Sequence, residues 1–285
     1  LLAWMVGWAL ILEYAVAAAA VCVGWSGYFM GLIESATGFA LPTALSAGPA
    51  WSLAGVDFSH GLINLPAIGV ALAVTALLVV GTKESATFNA VLVAIKIAAL
   101  TLFIALTVPA MDSGNFTPFA PNGWFGPEGT SGLGIVGAAA SIFFAYVGFD
   151  AVSTAAEETR DPQRNVPIGL IGSLVVCTAF YLLVTMGAIG TIGAQPTSLG
   201  VQPGSAEFAR ECAALAAQGA EPLVCSDEAL AHVLRAINQG WAGNLVGIAA
   251  NLALPSVILM MLYGQTRIFF VMARDGLLPE KLATI

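Results

Sequence analysis

The sequence predicts an all-α polytopic membrane protein, and three observations carry that reading. Of 285 residues, 58% are hydrophobic and only 9% charged. The mean hydropathy is +0.88. Apolar runs long enough to cross a bilayer, about 20 residues each, recur along the chain between segments rich in Gly, Pro and Ser. A soluble domain does not have this composition. The chain opens on Leu1 with no methionine, basic n-region or cleavage site, so no signal peptide is expected. Because the apolar pattern starts at once, the reading is of an internal piece of a longer protein.

Six spans are expected within a single transmembrane domain covering 1–285. The first, about 1–31, contains Glu13. A loop rich in Gly, Pro and Ser leads to the second, 62–81, and Thr82-Lys83-Glu84-Ser85 reads as a tight turn. The third span, 87–108, holds Lys96 as its one charge. After a Pro/Gly/Asn loop comes the fourth, 132–156, which Gly148 and Asp150 interrupt, so that it reads as broken near 144–150. The fifth, 167–192, is expected to open on Pro167, since proline suits the first helical turn. An outer loop, 193–242, precedes the sixth span, 243–264; within it Glu228 to Gln239 has the pattern of a short amphipathic helix. Orientation follows the basic residues. With Leu1 inside, the inner loops hold Lys83, Arg160, Arg164, Arg267, Arg274 and Lys281, and the outer loops only Arg210 and Arg235. The net charge of −8 then lies mostly on the outer loops, as a solvated acidic surface.

The broken fourth span is the first candidate site. Glycine loosens a helix and Asp150 could cap the half-helix that restarts after it. Interrupted backbone at membrane depth survives only where it is buried or lines a cavity. Its freed carbonyls could bind an ammonium group or a cation; the alternative is a packing kink in an ordinary bundle. Lys96 is the second candidate. An ammonium in mid-membrane costs about 2.5–3.5 kcal/mol even on insertion scales. Burial penalises the charged form, which makes Lys96 a candidate proton carrier or a fixed stand-in for a metal cation. A structural ion pair is the other reading. Glu13 could pair with a substrate cation, take part in proton coupling or hydrogen-bond within the bundle.

Other signals point to packing. Gly132-Leu133-Gly134-Ile135-Val136-Gly137 has GxGxxG spacing, but no strand precedes it, so its glycines are read as helix contacts, like Gly27/Gly31 and Gly243/Gly247. His60 and His232 have no partners at metal-ligand spacing; no metal site and no cofactor are expected. Cys22 and Cys177 read as small hydrophobes. Cys212 and Cys225 could form a disulfide in an oxidising compartment. Asn115-Phe116-Thr117 is a glycosylation sequon, meaningful only in a eukaryote. No nucleophile–base set appears, which argues against an enzyme, and no nucleic-acid partner is expected.

Several segments together resemble one family. They are Glu13-Tyr14, Val23-Gly24-Trp25-Ser26-Gly27-Tyr28, Gly81-Thr82-Lys83-Glu84-Ser85, Phe143-Phe144-Ala145-Tyr146-Val147-Gly148-Phe149-Asp150, Asn165-Val166-Pro167-Ile168-Gly169 and Met272-Ala273-Arg274-Asp275-Gly276-Leu277-Leu278-Pro279. This set resembles the cationic amino acid transporter group of the amino acid–polyamine–organocation superfamily. The resemblance implies a five-plus-five inverted-repeat fold, of which the six spans look like the third to eighth helices. It implies that backbone around Phe144, Ala145, Tyr146 and Val147 accepts a substrate's α-ammonium group. It further implies that Glu13 is associated with the pocket, that Leu254 forms a side-chain subsite and that Lys96 couples transport to protons. Gly148 and Asp150 are then structural at the helix break. Ala9, where relatives often have aspartate, and Pro255 within the last span depart from the pattern. The implied partners are an amino acid, protons, the lipid bilayer and the missing helices of the same protein. The implied function is amino acid transport by alternating access, in the plasma membrane. An exchanger, or a membrane sensor that binds without transporting, are the alternatives.

Overall fold

The computed structural model describes residues 2–52, 55–57, 61–80, 86–120, 123–126, 134–148, 161–193, 206–218, 222–226 and 228–279. The helices are α1 (Leu2–Thr37), α2 (Thr43–Ser46), α3 (Leu65–Val80), α4 (Ala86–Thr107), α5 (Ile135–Ile142), α6 (Pro162–Ile192), α7 (Ala206–Ala217), α8 (Ala229–Ala236) and α9 (Gly240–Arg274). Short 3₁₀ turns follow α4 and α5 and precede α8. Among the described residues the protein is all-α apart from one antiparallel hairpin of three-residue strands, β1 (Ala50–Ser52) and β2 (Gly55–Asp57), paired Ala50 to Asp57. Among the described residues four helices are long and apolar enough to cross a membrane: α1, α4 with its 3₁₀ extension, α6 and α9. The apolar helix α3 is shorter, at 16 residues.

Local chemistry sets the helix ends. α1 runs past Gly31 to Thr37, where Ser35 and Thr37 hydroxyls donate to the Leu32 and Ile33 carbonyls. Gly38 closes it with φ +72°, its N–H donating to Glu34, a left-handed C-cap that glycine adopts without penalty. Asn64 caps α3: its Oδ1 accepts the N–H of Ala67 at 3.0 Å. The expected start of the fifth span at Pro167 is corrected. The helix begins five residues earlier, at Pro162, and Pro167 lies inside it. Pro162 itself takes the first helical position, and the Asp161 carbonyl accepts the N–H groups of Arg164 and Asn165. An apolarity criterion misses this first turn because it is polar.

The chain divides into two compact units. One comprises Leu1–Ala18, Thr117–Leu182 and Leu259–Ile285; the other comprises Ala19–Phe116 and Leu183–Ile258. In the first unit, α1 packs on the C-terminal half of α9. Tyr14 is buried and lies against Gly264, where an added Cβ would come within 2.6 Å of its ring. Trp8 meets Phe269 edge-on at 6.2 Å, and the Gln265 amide donates to the Ile11 carbonyl.

In the second unit Phe103 of α4, Val233 and Leu234 of α8, and Ala242 and Val246 of α9 form a fully buried cluster. The amphipathic helix expected between Glu228 and Gln239 is therefore present, with its apolar face inside. α4 and α6 approach closely at Gly187, where a Cβ would collide with the Thr107 hydroxyl. The loop after α4 returns to cap α6: the Asp112 N–H and the Asn115 side-chain amide both donate to the Gly190 carbonyl. That engagement commits the sequon asparagine to the fold. The glycine expectations need adjustment. Gly31 accommodates the Glu228 carboxylate rather than a helix, Gly243 faces the α8 backbone at Ala231, and Gly247 faces open space. Cys212 and Cys225 are joined as a disulfide; Cys22 is buried and Cys177 exposed.

Candidate functional site

The sequence-selected residues fall in both units. In the first, α5 gives way at Phe143 to a 3₁₀ turn, Phe143–Tyr146, that ends at Gly148 with φ +105°. Only glycine adopts that backbone without strain. α-Helical geometry therefore ends at Ile142, and the backbone turns left-handed at Gly148. Asp150, expected to cap the next half-helix, lies outside the described residues.

Two tyrosines hold the broken turn against α6. The Tyr181 hydroxyl donates to the Ala145 carbonyl at 2.8 Å, and the Tyr146 hydroxyl lies 3.0 Å from that of Thr178. The two rings meet edge-on, centroids 5.3 Å apart. One lone pair of the Ala145 carbonyl is thus engaged; a carbonyl oxygen carries a second. Val147 and Tyr146 are half-buried and Ala145 is exposed. Glu13, on α1 in the same unit, is half-buried and engaged with a neighbour.

The second unit contains Lys96 and Leu254. The Lys96 ammonium donates to the hydroxyl of Ser256 at 2.8 Å. Ser256 is buried, and its hydroxyl donates in turn to the Ala253 carbonyl at 2.8 Å. Among the described residues the lysine has no carboxylate partner, so the ion-pair alternative finds no support there. Leu254 is half-buried, two residues before Ser256 on α9.

Pro255, between them, explains the local chemistry. Lacking an N–H, proline leaves the carbonyl four residues earlier without its helical donor. That carbonyl belongs to Asn251, and the indole N–H of Trp25 on α1 donates to it at 3.0 Å. The Asn251 amide donates to Gly247, while its own Oδ1 is buried with no partner among the described residues. Ser26, next to Trp25, accepts the Asn64 amide at 2.8 Å. Polar side-chain contacts therefore join α9 to α1 and α4, and α1 to the start of α3, within this unit.

Sequence reasoning missed Ser256, Trp25, Thr178 and Tyr181. A signal existed for one of them: a proline inside a membrane helix requires an outside donor for a known carbonyl. Nothing in the sequence identified which residue supplies it. Among the described residues no group of His, Cys, Asp and Glu could hold a metal ion.

Known proteins share this sequence over its whole length. The chain is 42% identical over 285 residues to the branched-chain amino acid permease BcaP of Bacillus subtilis, covering 100% of this chain and 53% of that protein. It is 36% identical over 287 residues to a methylthioribose transporter of Bacillus subtilis, again 53% of that protein's length. It is 30% identical over 278 residues to cationic amino acid transporter 9, chloroplastic, of Arabidopsis thaliana, covering 97% of this chain and 42% of that one. The chain thus spans about half the length of the curated relatives it matches. The family model described as amino acid permease matches residues 1–285. Matched along its whole length, this chain belongs to the amino acid permease family, and the relatives it matches are named as permeases and transporters, not enzymes.

Proposed function

We propose that the full-length protein carries amino acids across a cell membrane by alternating access, coupled to protons. The observation that carries this reading is the Lys96 ammonium held by the buried Ser256 hydroxyl beside Pro255. A lysine at membrane depth is costly, and a hydroxyl partner does not fix its charge as a carboxylate would. On that ground Lys96 is the proposed proton carrier.

The backbone around Phe144–Val147 is proposed to accept the substrate's α-ammonium group, with Gly148 keeping the helix open. Leu254 is proposed to line a side-chain subsite, and Glu13 to sit by the pocket. The identity to a branched-chain amino acid permease, 42%, supports a neutral, branched substrate. The plasma membrane is the proposed location.

The test is a competition assay on the full reading frame reconstituted in liposomes. Uptake of labelled leucine should be inhibited by isoleucine and valine more than by arginine or methylthioribose. Stronger inhibition by arginine would overturn the branched-chain assignment and place the substrate with the cationic amino acids. In the same assay Glu13→Gln separates two roles. A selective loss for arginine marks a cation contact; equal losses for arginine and leucine mark a structural or coupling role.

A further inference from the structure

The loop before α5 presents an aromatic tip that the mechanism above does not use. Phe119, Trp124 and Phe125 are 85%, 69% and 79% exposed. Between Asp112 and Glu128 the chain carries no charge. Three exposed aromatics within seven residues of sequence, without a charge among them, are unsuited to a water-facing loop.

The fold nonetheless holds the tip in place. Gly123 has φ +64°, and its N–H donates to the Ala120 carbonyl. The carbonyls of Gly123 and Trp124 then accept the N–H groups of Ile135 and Val136 at 3.1 and 3.0 Å. These are first-turn donors of α5, which a helix leaves without internal partners. Gly134 is in contact with the backbone of Trp124, Phe125 and Gly126, closely enough that any Cβ there would collide. The aromatic tip is thus fastened to the start of the helix that breaks at Phe143.

Its position decides the partner. The tip lies in the connection between α4, a membrane-length helix, and α5, which opens the next apolar span. Such a connection sits at the membrane–water boundary, where Trp and Phe side chains bury their rings among headgroups and upper acyl chains. We propose that Phe119, Trp124 and Phe125 form an interfacial lipid anchor, inserted in the bilayer surface and fixing the entry of α5.

The experiment uses the full-length protein in phosphatidylcholine/phosphatidylglycerol liposomes. Spin labels are placed singly by Phe119→Cys or Phe125→Cys, with Ser113→Cys as a water-facing control. The background carries Cys22→Ala and Cys177→Ala and keeps the Cys212–Cys225 disulfide. Labels at 119 and 125 should be more accessible to oxygen than to a water-soluble nickel chelate, and the label at 113 the reverse. Greater nickel accessibility at 119 and 125 would overturn the proposal in favour of a solvated loop. Exclusion of both reagents at both positions would overturn it in favour of cover by protein. A gentler variant guards against misfolding. The fluorescence lost on Trp124→Phe should be the component quenched by brominated lipid, and quenching of that component by aqueous iodide instead would contradict the anchor.

Discussion

Lys96 and Ser256 meet across 160 residues of sequence, ammonium to hydroxyl at 2.8 Å, with the serine also bonded to the Ala253 carbonyl. The arrangement is asymmetric. Removing the lysine leaves the serine's donor satisfied, whereas removing the serine leaves a membrane-depth ammonium without its hydroxyl acceptor. Lys96→Ala should therefore fold and insert normally, yet take up substrate at a rate independent of pH. Ser256→Ala should lower stability by about 1–3 kcal/mol, the usual cost of an unsatisfied buried group. Initial uptake rates across external pH, with thermal unfolding in detergent, check both. A pH profile unchanged in Lys96→Ala would remove the lysine from coupling.

Trp25 and Pro255 make a second, independent prediction. The indole N–H replaces the helical donor that the proline lacks. Trp25→Phe should cost about 1–3 kcal/mol by leaving the Asn251 carbonyl unpaired. In a Pro255→Ala background the helical N–H returns, and the same Trp25→Phe change should cost measurably less. A double-mutant cycle on unfolding free energies isolates that coupling. Strict additivity would mean that the indole bond does not compensate the proline.

Gly148 tests the helix break. An added Cβ would lie 2.9 Å from the Met261 methyl group, which can move, but the φ of +105° cannot be relieved so simply. Gly148→Ala should lose about 1–3 kcal/mol of stability through backbone strain. Adding Met261→Ala should not restore it. Recovery in the double variant would show that the conflict is steric contact rather than backbone conformation.

The disulfide gives a local prediction. Cys212 and Cys225 are 13 residues apart, and closing a loop of that size restricts the unfolded chain by about 3 kcal/mol in the entropic model. Cys212→Ser with Cys225→Ser should make the 193–242 segment more susceptible to limited proteolysis. The buried cluster of Phe103, Val233 and Leu234 should keep α8 protected. Cleavage within α8 at the same rate as in α7 would contradict that division.

What the sequence revealed depended on whether the cause was local. The left-handed turn at Gly148 was legible because one glycine can set a backbone angle. The short helix α8 was legible because its apolar spacing repeats within two turns. Lys96 was legible because a lone charge in an apolar run is costly whatever surrounds it. The start of α6 was not, since its first turn is polar and an apolar pattern begins only near Pro167. Nor were Ser256, Trp25 and Tyr181, whose partners are separated from them by 160, 226 and 36 residues. Gly31 was read as a helix contact because spacing reports a small residue and not its neighbour, which is the Glu228 carboxylate.

Proton-coupled transport has a direct readout in accumulation. The full-length protein is reconstituted in liposomes with an imposed inward proton gradient, and labelled leucine is followed inside. Leucine should accumulate above the external concentration, and this accumulation should collapse when the gradient is dissipated and be absent in Lys96→Ala. Uptake only when amino acid is preloaded inside would contradict proton coupling in favour of exchange. Binding without flux would contradict transport and leave a sensor.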